Sequence, residues 1–206
     1  MEGVCQLYSY FYRVQHQSVM VSPYFFIVKP KGSEYLDEIE IAGQKIAINA
    51  TLENHKNVNR FAEVINVPSH YEGDISIGDT IVVHHNIFRI YYDMKGRPRR
   101  SPNYFRDDIY IIDTSQFYLF HNGAKWQSVE DYCFISPIDK ENKYLYEEGE
   151  EMHTGIVVYS NKKLNDLGVY DGDKVNFTKN SEYEFVINDQ RLFRMNTKDI
   201  CTVIDG

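Results

Sequence analysis

The chain has 206 residues, 43% apolar and 15% aromatic, enough for a packed core and too apolar for a disordered segment. Its net charge of −8 argues against a general nucleic-acid binder, whose affinity comes from neutralising phosphates. The three cysteines (Cys5, Cys133, Cys201) lack metal-ligand spacing and suit a reducing compartment, no stretch reaches the ~18 apolar residues of a membrane span, and no signal peptide is read at the start.

Residues 1–22 read as an N-terminal extension in which Tyr8, Tyr10 and Tyr12 alternate with other residues, as in a strand. A strand over Tyr24–Val28 follows and closes at Lys29-Pro30-Lys31-Gly32. Residues 33–59 form a long connection, acidic at first and apolar in the middle, with Ile39-Glu40-Ile41 and Ile46-Ala47-Ile48 flanking Ala42-Gly43-Gln44-Lys45. It reads either as a loop or as a hairpin packed on the rest. Phe61–Val67 is a further strand, stopped by Pro68, and Gly78-Asp79 make a turn into the strand that runs to Val83.

His84 and His85 are adjacent in the same run, so a strand puts them on opposite faces, where they do not chelate one metal. Residues 87–112 read as an insertion: strands at Phe88–Tyr92 and Ile109–Ile112 surround a basic tip with Gly96-Arg97-Pro98 as its turn. Lys95, Arg97, Arg99, Arg100 and Arg106 stand there beside Tyr91, Tyr92, Tyr104 and Phe105. That mixture suits a solvated hairpin tip or a grip on single-stranded nucleic acid. Trp126 reads as core. Tyr132–Ile138 (YCFISPI) is a strand, residues 139–153 carry six acidic residues, and a second Gly-Asp turn, Gly172-Asp173, opens the strand Val175–Phe177. Tyr183–Ile187 and Leu192–Met195 form a hairpin about Asn188-Asp189, and Cys201–Ile204 is the closing strand.

The pattern repeats. AEVINV (62–67) precedes IGDTIVV (77–83) as TGIVVY (154–159) precedes DGDKVNF (171–177), and YFFIVKP (24–30) matches YCFISPI (132–138). Asp131-Tyr132-Cys133 also matches Asp199-Ile200-Cys201. Two tandem copies of one small all-β barrel follow, with a single larger β domain as the alternative. The expected division is 1–22, then 23–131 with a long loop and an inserted hairpin, then 132–206.

The order Gly172-Asp173, Val175-Asn176-Phe177, Tyr183–Met195, Asp199-Ile200 resembles the C-terminal half of the co-chaperonin (GroES-type) family. The resemblance covers roughly residues 23–206 and implies two tandem barrels, a homo-oligomeric ring in the cytoplasm, and a mobile loop after the first strand. In that family the loop carries an apolar tripeptide that docks on the apical domains of a chaperonin, and unfolded substrate is enclosed in the chamber. The matching residues are Gly43, Ile46, Ala47 and Ile48, with Ile39 and Ile41 as rival anchors. Ala47 is small, and two residues separate Gly43 from the tripeptide, both departures from the family pattern. The divergence and the Tyr/Asn/Lys-rich composition suit a viral version. No cofactor, metal or membrane is implied, and the catalytic fingerprints of hydrolases, P-loop proteins and dinucleotide enzymes are absent, so no enzyme is expected. The alternatives are an oligomeric assembly protein, for example of a virion, that uses the same fold, and a nucleic-acid-binding barrel protein.

Overall fold

A computed structural model describes residues 22–34, 38–41, 44–47, 58–129, 131–139 and 150–204. Among the described residues it is all-β, with one short helix, and every strand pair is antiparallel. In the first sheet lie β1 (Phe26–Pro30), β4 (Phe61–Asn66), β5 (Thr80–Val83), β8 (Tyr104–Arg106), β9 (Ile109–Ile112), β10 (Phe117–His121) and β11 (Trp126–Ser128). The second holds β12 (Tyr132–Asp139), β13 (Glu150–Tyr159), β14 (Lys174–Phe177), β15 (Tyr183–Ile187), β16 (Gln190–Asn196) and β17 (Ile200–Ile204). Two small ribbons stand apart: β2 (Glu38–Ile41) with β3 (Gln44–Ala47), and β6 (Tyr91–Tyr92) with β7 (Pro98–Arg99). The helix α1 (Lys162–Asp166) is a single turn capped by the Asn161 side chain, which accepts from the Leu164 N–H.

The two sheets share one connectivity. Their strand orders are β8-β9-β1-β4-β5-β10-β11 and β15-β16-β12-β13-β14-β17. Strand for strand these agree, except that β11 is added to the first. The repeated Gly-Asp turns agree atom for atom. Gly78 and Gly172 take φ of +93° and +97°, a region that side chains with a Cβ avoid. Each donates its N–H to the strand before it, Gly78 to Val64 O (2.8 Å) and Gly172 to Val157 O (2.7 Å). The Asp79 and Asp173 carboxylates each accept a backbone N–H three residues upstream, from Ser76 and Tyr170, at 2.8 Å. A 3-10 turn precedes the last shared strand in both, at Thr114–Gln116 and at Thr197–Asp199.

This correspondence corrects three expectations. The counterpart of β17 in the first sheet is β10, so Asp131-Tyr132-Cys133, which leads into β12 of the second sheet, does not match Asp199-Ile200-Cys201. The β8–β9 pair matches the β15–β16 hairpin, so Ile109–Ile112 belongs to the shared unit. The extra chain in the first sheet lies instead between β5 and β8, residues 84–103, where the second sheet needs only 178–182. Of the expected strand Phe88–Tyr92 only Tyr91–Tyr92 forms, because residues 85–88 make a turn from which Ile87 and Phe88 fill the first core.

The expected closed barrels are also absent. Among the described residues the first sheet ends at β8 and β11, and the second at β15 and β17. The reason lies in the alternation of side chains across a strand. Ile81 and Val83 point into the first sheet's own core, while Val82 between them points the other way. Cys133 and Ile135 likewise fill the second sheet's core, and Phe134 points away from it. Val82, Tyr118, Leu119, Phe134, Phe185, Ile187 and Leu192 thus make a third core, between the sheets. Each sheet has two apolar faces to bury, and packing the two together covers the faces that isolated barrels would leave in water.

Candidate functional site

The first expected site is the segment between β1 and β4. Its sequence alternates apolar and polar residues on both sides of a glycine, and it forms the hairpin β2–β3, paired with neither sheet. The register sets Glu38 opposite Ala47, Ile39 opposite Ile46, Glu40 opposite Lys45 and Ile41 opposite Gln44. The two expected anchors, Ile39 and Ile46, are therefore cross-strand partners. Gly43 and Ile48 lie outside the described residues, as do residues 1–21.

The basic insertion forms a tip on β6–β7. Asp93 organises it: its Oδ1 accepts the N–H groups of Lys95 and Arg97, both at 2.9 Å, and Gly96 turns back with φ +71°. Its cations do not act as one group. Arg100 pairs with Glu34, donates to the Tyr110 hydroxyl at 3.0 Å and lies 4.5 Å over the Tyr104 ring. Arg99 sits 3.6 Å from Asp93. Met94 at the tip is fully exposed, and Tyr92 and Phe105 are also exposed.

The seam between the sheets holds a cluster that sequence reasoning missed. Arg60, just before β4, donates to the Glu184 carbonyl of β15 at 2.7 Å. Its guanidinium lies 4.5 Å over Phe185 and 5.4 Å from the Tyr183 ring centre. Arg194 of β16 lies over Tyr118, Tyr132 and Tyr183, at 4.7, 5.2 and 5.3 Å. A cation facing a ring is attracted by the ring's negative face, which offsets part of the loss of hydration. Tyr183 is the hub, since its hydroxyl also meets His85 Nδ1 at 2.5 Å. The available signal was Arg194 itself, a cation set between the apolar Phe193 and Met195. Alternation turns it away from the second core toward the first sheet.

His84 and His85 do not point to opposite faces, because β5 ends at Val83 and the chain turns. Their rings lie 4.2 Å apart. His84 Nδ1 accepts the Asn86 N–H at 3.1 Å, which requires that nitrogen to be unprotonated. Burial, then Arg194 and Arg60, lower the His84 pKa below the usual 6.5. A proton taken up there breaks the Asn86 bond and adds charge beside two guanidiniums. The unfolded chain takes up that proton at a higher pH than the folded one. The His84 contribution to stability is therefore complete above about pH 6.5 and is lost as pH falls through the lowered folded value. Urea unfolding at about pH 7.5 and about pH 5.5 should show a loss of stability in the wild type and a smaller loss in His84→Gln.

No group of three or more His, Cys, Asp or Glu residues able to hold a metal occurs among the described residues. Cys133 is fully buried, and burial pushes its thiol up to about 12, so it is an inert core residue. Cys201 is exposed on the edge strand β17. Trp126, expected in the core, is half-buried on β11 beside Phe61. No helix among the described residues is long and apolar enough to cross a membrane. A scan against protein-family models found no match for this chain, and a search of curated proteins found none either.

Proposed function

We propose that this chain is a non-enzymatic docking protein of the co-chaperonin kind, assembling in a ring and capping a chaperonin whose own ATPase drives the folding cycle. The observation that carries this reading is the β2–β3 ribbon. It sits where the resemblance places the docking loop, after the first strand of the first sheet, and it pairs with neither sheet. The backbone register pairs Ile39 with Ile46 across the two strands, and Ile41 stands two residues further along β2. An extended, isoleucine-rich segment suits an apolar groove, and a ring of weak contacts binds by avidity and still releases.

Native mass spectrometry and pull-down with a bacterial-type chaperonin, with and without ATP, test the reading. The wild type should bind in a nucleotide-dependent way, and Ile46→Asp should abolish capture. Loss in Ile39→Asp with retention in Ile46→Asp keeps the reading and moves the anchor to β2. No binding under any nucleotide condition overturns it. A formed ribbon also suits a second reading, an oligomeric assembly protein in which β2–β3 packs on a neighbouring copy. That reading expects Ile46→Asp to lower the oligomeric state in the absence of any chaperonin.

A further inference from the structure

A cleft of about 650 Å³ opens at one end of the seam between the sheets. Four strands of the first sheet bring residues to it: Lys31 follows β1, Phe61 opens β4, Thr80 opens β5 and His121 ends β10. The β10–β11 turn adds Lys125 and leads to Trp126. From the second sheet comes Asn188, at the tip of the β15–β16 hairpin and held there with φ +51°.

The chemistry of this lining runs against the rest of the molecule. The protein carries a net charge of −8, yet no carboxylate lines the cleft and two lysines do. Lys31 Nζ donates to the Thr80 hydroxyl at 2.9 Å, and neither lysine has a carboxylate in ion-pair range among the described residues. Beside these cations stand aromatic rings. Phe61 and Trp126 lie 6.2 Å apart, and His121 packs edge-on to Trp126 at 5.0 Å. His121 Nδ1 accepts the Gly123 N–H, so the imidazole proton sits on Nε2 as a donor. Asn188 carries both a donor and an acceptor on one amide.

We propose that this cleft binds a nucleoside phosphate, either as a free nucleotide or as one unit of a single strand. The volume is within the range of small-molecule sites. The phosphate takes the two lysines, the base takes the Trp126 and Phe61 rings, and the Asn188 amide reads a base edge. The site needs both sheets, because Asn188 comes from one and every other residue named from the other.

Trp126 is the only tryptophan, so its fluorescence reports on the cleft directly. The full chain should be titrated with adenosine monophosphate, with adenosine and inorganic phosphate as controls, and with a thymidine oligonucleotide of about ten units. The expected result is saturable quenching by the monophosphate with a Kd below about 1 mM, and binding at least about tenfold weaker for each control. Lys125 stands exposed in a turn, so Lys125→Gln should keep the thermal midpoint and weaken the monophosphate about tenfold. Much tighter, salt-sensitive binding of the oligonucleotide assigns the site to a strand, and equal binding assigns it to a free nucleotide. The proposal is overturned if neither nucleotide quenches saturably up to about 5 mM, if adenosine binds as well as its phosphate, or if Lys125→Gln with an unchanged midpoint binds as tightly as the wild type. It goes beyond the docking reading, and the titration contains no chaperonin, so either can fail without the other.

Discussion

Replacing Phe134 by alanine should lower the unfolding free energy by about 3–5 kcal/mol, a large share of the ~5–15 kcal/mol available to an ordinary domain. Phe134 is fully buried on β12. Its ring meets Phe185 edge-on at 5.8 Å and Tyr159 at 6.2 Å, and it belongs to the core that joins the sheets, with Val82 and Leu119 of the first sheet in the same cluster. Truncation removes apolar area and leaves a cavity that strands on both sides resist closing. The effect should be communal. If the sheets are coupled through this core, urea unfolding followed by Trp126 fluorescence and by far-ultraviolet circular dichroism should stay coincident while the midpoint falls. Trp126 lies in the first sheet and Phe134 in the second, so a midpoint that falls by circular dichroism alone would show that the sheets unfold separately. Ile135→Ala, one residue on, empties the other face of β12 into the second sheet's own core. Its cost should be similar, because that face is packed equally tightly.

The sequence made the repeat legible because the Gly-Asp turns carry their own physics. A glycine at positive φ followed by an aspartate that caps the turn is a local device, and it looks the same in both copies. The hairpin at Asn188-Asp189 was legible for the same reason, since both residues adopt positive φ, as a two-residue turn of that type requires. What could not be read was which face of each strand met which partner. Phe117–His121 is apolar at four consecutive positions, so its period of two vanishes and it leaves no alternating signature. With that one strand unseen, the match to Asp199-Ile200-Cys201 fell on Asp131-Tyr132-Cys133. The seam was hidden for a related reason. Tyr183 and Arg194 face each other across the β15–β16 hairpin, but Arg60 is distant in sequence and meets them only because the two sheets pack face to face. The cleft beside them joins Lys31 and Lys125 to Asn188 by the same long-range packing.

Gly155 sets a different kind of constraint, and Gly155→Ala should destabilise the protein by about 1–3 kcal/mol although alanine fits an ordinary strand. The requirement is for space. A Cβ built at Gly155 falls 2.3 Å from Ile135 Cγ2 and 2.7 Å from the Ser136 carbonyl oxygen, distances that real contacts do not reach. Gly155 stands opposite Pro137 on one side and Val175 on the other, in the middle of the second sheet. The Ile135 side chain cannot swing away, because it is fully buried in the core with Val157 and Val175. The backbone oxygen cannot move without shifting β12 against β13. Gly155→Ala should therefore cost less in an Ile135→Ala background than in the wild type, though still something. Removing Cγ2 relieves one clash, and the Ser136 oxygen keeps the other. A double-mutant cycle by urea unfolding reads this as a coupling of about 0.5–3 kcal/mol. Zero coupling would mean that the sheet had yielded through its backbone alone, and no cost of Gly155→Ala in the Ile135→Ala background that Ile135 was the whole obstacle. Because β12 also presents Phe134 to the seam, any shift of its backbone that makes room for the alanine displaces the joint core as well.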